Sequence, residues 1–482
     1  MEKKNVLSGL IWQFAERCGA QSIQFVVSII LARLLTPADY GLIGLITVFI
    51  TISAVFAQSG LGDALVQRIR IDNEEFSTVF YFSLVFSFIL YGILFFVAPI
   101  IANFYNEPTL VNVVRVLGLT VIIGAVNSVQ RAYVQKTMQF KRFFWSTLFG
   151  TIVSAFIGIY MAYKGCGVWS LVAQQMTNQI IDTLILWFTV RWRPILAFSL
   201  SKARRLFSFG WKILCSTLID TIYNNIYSLI IGKFYSSSDL GYYNRGDQFP
   251  ALIINNVNAA ISGVMYPAMS NVQNEKSRLK SMLCRAIKTG TLVSFPVMAI
   301  MAAVAKPLTT IFLTEKWLPA VPFIQFCCFI YALWPINSIH LQAIKALGRS
   351  DILLRIEILK KISGFVILVI TIPFGVYAMI IGKCVFTLLC VLLNVPSLKK
   401  LLGYSYWEQI KDILPPFVIS VFTIIVVMFV PMFNLNNWST MIIQIALGLT
   451  VYVGVALIFR VESMTYMMKT AKELILTRKT NV

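Results

Sequence analysis

Apolar runs of membrane length, broken by short polar turns, recur along the whole chain, and the first of them is never purely apolar. The run from Leu10 to Leu35 is long enough for a spanning helix, which needs about 20 residues, and it ends in the turn LARLLTPADYG, Leu31–Gly41. Gln13, Glu16, Arg17, Gln24 and Ser28 interrupt it. Four of these, Gln13, Arg17, Gln24 and Ser28, fall close to one face of a 3.6-residue helix. A polar stripe on a spanning helix faces other helices or water rather than lipid. About 14 such runs follow one another, near 9–34, 40–67, 76–103, 109–136, 142–163, 167–190, 205–234, 240–270, 280–304, 318–345, 351–373, 376–398, 412–431 and 440–460. The pattern predicts an all-α polytopic membrane protein, least regular over 305–320, where Pro307, Pro319 and Pro322 interrupt it.

Composition agrees: 58% of the 482 residues are hydrophobic and 13% charged, with a mean hydropathy of +0.77, against about a quarter charged in soluble proteins. The net charge of +21 invites a nucleic-acid reading. The basic residues, however, sit in short connections between apolar runs, and no RNP, zinc or helix-turn-helix signature accompanies them, so nucleic acid is not an expected partner. With the N-terminus inside, the outer connections carry Arg33, Lys164, Lys233, Lys306 and Lys316. The inner ones carry clusters such as Arg131/Lys136/Lys141/Arg142, Arg191/Arg193/Lys202/Arg204/Arg205 and Lys276/Arg278/Lys280. That asymmetry follows the positive-inside rule and places both termini in the cytoplasm. Basic MEKKN precedes the first run without a small-residue cleavage site, which reads as a first span rather than a removed leader. The eight cysteines show no C-x-x-C spacing and His340 is the lone histidine, so neither a disulfide framework nor a metal site is expected. The tryptophans, among them Trp12, Trp192 and Trp317, fall mostly at span ends, as in an interfacial belt.

An internal repeat is legible. R-L-L-T-P-A-D-Y-G, Arg33–Gly41, returns as K-F-Y-S-S-S-D-L-G, Lys233–Gly241, and Asn127-Ser128 returns as Asn337-Ser338. Six spans per half is an even number, so the repeats run parallel, and transporters of that kind bind substrate between their halves. The expected domains are an N-lobe over 1–198, a C-lobe over 199–400, and two further spans with a basic tail over 401–482.

LARLLTPADYG (Leu31–Gly41), LGDALVQR (Leu61–Arg68), GVWSLVAQQ (Gly167–Gln175), LGYYNRGDQFP (Leu240–Pro250) and ALGRSD (Ala346–Asp351), in that order, resemble the polysaccharide-transport family of the MOP exporter superfamily, the Wzx-type and teichuronic-acid-type flippases. The resemblance implies two pseudo-symmetric six-helix lobes plus two extra C-terminal helices, a MATE/MOP-like bundle with a central cavity. It also implies a substrate, an oligosaccharide repeat unit on undecaprenyl diphosphate, flipped from the cytoplasmic to the outer leaflet of the bacterial inner membrane.

Charges inside spans cost about 2.5–3.5 kcal/mol each at a helix centre on insertion scales, so most must face the interior. Arg17, Arg245 and Lys383, with Arg115 behind them, are the expected partners of a lipid diphosphate, since guanidinium groups bind phosphate oxygens in pairs and lysine adds a point charge. The competing reading is that they only pair with Glu16 or Asp247 to hold helices together. Glu16, Asp182, Asp220 and Asp247 are candidates for coupling to H⁺ or Na⁺. Asp182 follows Gln175 and Asn178 on one polar face of the sixth span, where helix–helix hydrogen bonding is the plainer role. Trp12 could stack on a sugar, and His340 reads as a satisfied polar residue.

No Walker loop, Rossmann fingerprint or nucleophile motif appears. The expectation is therefore a monomeric, non-enzymatic flippase without cofactor, working by alternating access and driven by an ion gradient, in contact with membrane lipids and other polysaccharide-assembly proteins. A multidrug or metabolite antiporter of the same superfamily is the alternative.

Overall fold

The computed structural model describes residues 3–58, 65, 72–137, 139–465 and 468. Among these are fourteen helices of 22 residues or more, one for each expected span: α1 Lys3–Leu34, α2 Pro37–Gln58, α3 Asn73–Tyr105, α4 Leu110–Lys136, α5 Phe140–Tyr163, α6 Val168–Thr189, α7 Leu200–Phe234, α8 Ser237–Ser270, α9 Lys276–Ala303, α10 Val321–Ala346, α11 Ser350–Thr371, α12 Val376–Leu402, α13 Tyr406–Met428 and α14 Asn437–Ile458. The proline-interrupted stretch before α10 resolves into a short turn of helix, Ala305–Leu308, a wide turn, Thr309–Leu313, and a tight one, Glu315–Ala320. Among the described residues, nine of the helices are apolar enough over a membrane-length window to span by composition alone. The other five, α1, α6, α7, α8 and α11, carry polar side chains along their length, such as Gln174, Gln175, Asn178, Gln179 and Asp182 on α6.

The ends of these helices are set by local chemistry. Thr36 caps α2: its backbone N–H and hydroxyl both donate to Asp39 Oδ2, at 2.9 and 2.6 Å, and Asp39 N–H donates back to Thr36 Oγ1 at 3.3 Å. Pro37 follows at the first helical position, where a missing N–H costs nothing. Ser236 and Asp239 repeat the arrangement at the start of α8, at 3.2, 2.6 and 3.0 Å. The sequence repeat is thus a repeated capping box. A third box, Ser405 with Glu408, opens α13. The R-x-D of ALGRSD is a forked pair, Arg349 Nε and Nη2 donating to the two Asp351 oxygens at 2.8 and 2.7 Å.

The chain divides into two compact units, Met1–Gly241 and Tyr242–Val482, with the division inside α8. In the first, α3 packs on α4, α4 on α6, and α5 on α6 and α1, while α2 meets α4 and α7. Its core gathers Phe76, Phe80, Val129, Phe143, Leu186 and Trp192. In the second, α9 packs on α10, α10 on α12, and α11 on α12, with α13 against α9 and α14 against α13. Its core gathers Leu279, Leu283, Ile287, Ile339, Ile344 and Leu398. The same three pairings recur at matching places in the order of helices, as a parallel internal repeat requires. Beyond α14, Glu462 reaches Lys288 Nζ at 2.6 Å, and the lysine's hydrogen bond and charge hold that carboxyl below its ordinary value.

Two tryptophans depart from the belt expectation. Trp317 is fully buried and Trp192 nearly so. Trp192 lies edge-on or tilted to Phe76 and Phe80 within the first core, and Trp317 packs edge-on to Tyr242. Both therefore anchor packing, whereas Trp407 and Trp438 are exposed.

Candidate functional site

Inside the first unit the polar faces of α1, α4, α5, α6 and α7 converge on a cavity of about 660 Å³. Its wall holds Gln24, Asn127, Ser128, Arg131, Gln135, Thr151, Ser154, Gln174, Gln175, Asn178, Gln179, Asp182 and Thr217, against Val55, Ala132 and Leu214 as apolar side chains. Helical spacing assembles it. Asn127 and Arg131 are one turn apart on α4, and the α6 residues at 174, 175, 178, 179 and 182 form a single stripe. Among the described residues Arg131 and Asp182 are the only charged ones in this wall, and they neutralise each other: Arg131 Nη2 lies 2.7 Å from Asp182 Oδ2. Asn127 Nδ2 donates to the same oxygen at 2.9 Å. Asn178 reaches Ser154 at 3.3 Å, and Gln179 donates to the Thr120 carbonyl at 2.8 Å. Asn127 Oδ1 and Asp182 Oδ1 are buried acceptors with no hydrogen-bond partner among the described residues.

The second unit carries two polar clusters. On one face of α8, Asp247 accepts from Tyr331 at 3.0 Å and lies 3.7 Å from Lys383 Nζ, while Lys383 donates to the Tyr243 hydroxyl at 2.9 Å. Arg245 sits on a different face. It donates to Gln248 at 2.5 Å, and its guanidinium lies 5.8 Å from the ring centre of Trp317. The second cluster centres on Asn337, which accepts from Asn394 at 2.7 Å and from the buried Lys360 at 3.0 Å. Lys360 also reaches Glu357 at 3.2 Å, and the fully buried His340 lies 3.5 Å from Asn394.

Asn127 on α4 bonds Asp182 on α6, and Asn337 on α10 bonds Asn394 on α12. The repeated asparagine therefore bonds twice to the helix two places further along, as donor from Asn127 Nδ2 and as acceptor at Asn337 Oδ1.

The expected site residues are distributed as follows. Lys383 and Asp247 meet, and Arg245 turns away from them. Arg115 stacks on Phe95, 4.1 Å from the ring centre, and bonds its carbonyl at 3.3 Å. Asp182 is paired in the first-unit cavity, and Asp220 is exposed on α7. Glu16 and Arg17 lie outside the residues whose side chains are described. Trp12 is tilted against Phe144 at 5.3 Å. The sequence reading placed Arg131 with the inner-loop cations and passed over Gln174 and Gln179. The four-residue step from Asn127 to Arg131, and the stripe running into Asp182, were the signals available.

The sequence model of the family described as polysaccharide biosynthesis protein matches residues 30–322, more than half of the chain. The chain is 24% identical over 351 residues to the teichuronic acid biosynthesis protein TuaB of Bacillus subtilis, covering 72% of this chain and 73% of that one. It is 21% identical over 431 residues to the lipopolysaccharide biosynthesis protein WzxC of Escherichia coli, covering 88% and 87%. Among solved structures, a lipid II flippase MurJ in an inward closed conformation superposes with a TM-score of 0.75 at 14% identity, covering 93% of this chain and 98% of that one. An inward-facing MATE transporter of the MOP superfamily gives 0.62 at 15% identity, covering 81% and 94%. At such identities these likenesses establish the fold alone, the helical bundle that those two transporters share. The chain is thus a multi-pass membrane protein that belongs to the polysaccharide biosynthesis protein family.

Proposed function

We propose that the chain is a flippase that carries undecaprenyl-diphosphate-linked oligosaccharide units from the cytoplasmic to the outer leaflet of the bacterial inner membrane, for assembly of a surface polysaccharide. The observation that carries this is the polar cavity of about 660 Å³ enclosed by membrane-length helices in a member of a polysaccharide biosynthesis family. Polar side chains at membrane depth are expensive and mark the path of a polar cargo. A sugar headgroup cannot cross hydrocarbon unaided, and a walled chamber exposed to the two leaflets in turn replaces its water. Under this reading the protein moves its substrate without a covalent step, both termini are cytoplasmic, and the lobes are 1–198 and 199–400 with the last two helices and tail at 401–482. Arg245 and Lys383, with Arg17 and Arg115, supply positive charge for the diphosphate. Asp247, Asp182, Asp220 and Glu16 are the groups through which an H⁺ or Na⁺ gradient acts.

The test is transport of a fluorescent lipid-linked oligosaccharide in proteoliposomes, alongside surface polysaccharide export in cells. Arg17→Ala, Arg245→Ala and Lys383→Ala are expected to cut both severely. Export at the wild-type level in all three variants would refute the cationic mechanism, and failure of the unmutated protein to move any lipid-linked glycan would refute the function.

A further inference from the structure

We infer that the cavity of the first unit is a glycan subsite: it holds sugar hydroxyls of the cargo, while the diphosphate is bound elsewhere. This rests on the flippase reading and specifies what one part of the molecule does within it. Three observations point the same way.

The first is charge. A diphosphate needs uncompensated cations, and among the described residues the single cation of this wall, Arg131, is already bonded to Asp182 at 2.7 Å. The carboxylate would repel an anion that approached the guanidinium. The second is the chemistry of the remaining wall. Among the described residues, seven carboxamides and four hydroxyls line it, from Gln24, Asn127, Gln135, Gln174, Gln175, Asn178, Gln179, Ser128, Thr151, Ser154 and Thr217, with no aromatic ring; of these, Asn127 is partly committed to Asp182. Each amide offers a donor beside an acceptor, and each sugar hydroxyl is likewise both. A hydrophobic cation of the drug type would instead call for apolar and aromatic surface. The third is the pair of orphaned acceptors. Asn127 and Asp182 are more than nine-tenths buried, and Asn127 Oδ1 and Asp182 Oδ1 have no donor among the described residues. A buried acceptor left unmatched is costly, and neighbouring O–H groups of a sugar supply the donors it lacks. The volume, about 660 Å³, lies in the range of small-molecule sites, about 300–1,000 Å³, and is far larger than an ion requires.

The experiment measures binding to the full-length protein in nanodiscs. The probes are undecaprenyl diphosphate alone and the same carrier bearing one glucose, galactose or N-acetylglucosamine. Wild-type protein is expected to bind at least one glycosylated carrier about tenfold or more tightly than the bare one, the worth of one or two net hydrogen bonds. Gln175→Leu on α6 and Gln24→Leu on α1 should each narrow that gap by about three- to tenfold and leave affinity for the bare carrier unchanged. Because the two residues sit on different helices, misfolding of one variant, seen in its melting curve, leaves the other to decide. If wild type binds all four carriers equally, or if both folded variants weaken bare and glycosylated carriers alike, the subsite is refuted while the flippase reading stands. If wild type binds no carrier, both fall.

Discussion

At the scale of single residues, the two units solve one problem with different side chains. Asn127 gives its amide to Asp182, and Asn337 accepts the amide of Asn394, at the equivalent place on the equivalent helix. The second unit therefore does without a carboxylate where the first has one, which predicts that Asp182→Asn is tolerated. The pair with Arg131 is weak because the arginine side chain is 54% exposed, so the loss should be about 1 kcal/mol. Asp182→Leu strips Asn127 and Arg131 of their acceptor and should cost about 2–3 kcal/mol; thermal melting of the detergent-solubilised protein separates the two. Lys383 and Asp247 pose a sharper question, because their pairing suits both a structural lock and a phosphate site. Lys383→Met should destabilise by leaving Asp247 without its cation. Adding Asp247→Leu should restore the melting temperature, since replacing both partners removes the stranded charge. If the lysine also serves the substrate, transport by the double variant stays low although stability returns. Recovery of transport together with stability would show that the pair only holds helices.

At the scale of the elements, the turns that carry the sequence repeat also pack on each other. A Cβ on Gly41 would stand 1.7 Å from the Ser237 carbonyl oxygen, and one on Gly241 would stand 2.0 Å from the Pro37 carbonyl oxygen. These are reciprocal contacts between the first turns of α2 and α8, and they explain why both copies of the motif end in glycine. Gly41→Ala and Gly241→Ala must move backbone rather than a flexible side-chain tip, so each should cost about 1–3 kcal/mol or more and lower the folded yield on size-exclusion chromatography. Gly92→Ala, with nothing within 4 Å of the new methyl, should be neutral or stabilise by up to about 1 kcal/mol. The helices themselves were legible because hydropathy and turn chemistry are local: each of the fourteen answers to an apolar run, and the T-P-A-D and S-S-S-D boxes open α2 and α8. The cavity was only half legible. Gln175, Asn178 and Asp182 stand out as a stripe on α6, but the closure of that stripe by Arg131 depends on how deep α4 places one turn of helix. Hydropathy put that turn among inner-loop cations. Trp317 misled for a related reason: a tryptophan beside prolines at a span end looks interfacial, and only the fold of the 305–320 segment shows that it is buried.

At the scale of the whole molecule, orientation is what turns a bundle with a polar chamber into a directional exporter, and the distribution of charge makes a checkable claim about it. Fourteen spans starting from a cytoplasmic N-terminus place the α5–α6 connection outside and the α8–α9 connection inside. The first carries Lys164 alone among basic residues, whereas Lys276, Arg278 and Lys280 follow directly after the second. Each basic residue held near anionic headgroups contributes about 1 kcal/mol, so inverting the molecule would forfeit several such contacts. Nature supplies one probe: Cys166 lies exposed in the α5–α6 connection, between Gly165 and Gly167, both at positive φ. A membrane-impermeant maleimide should label it in intact cells, and Cys166→Ser should remove that signal. Asn274→Cys, placed at an exposed position before α9, should react only after the membrane is made permeable. Labelling of residue 274 in intact cells together with silence at 166 would invert the topology, and with it the direction in which the chamber must first open to receive its cargo.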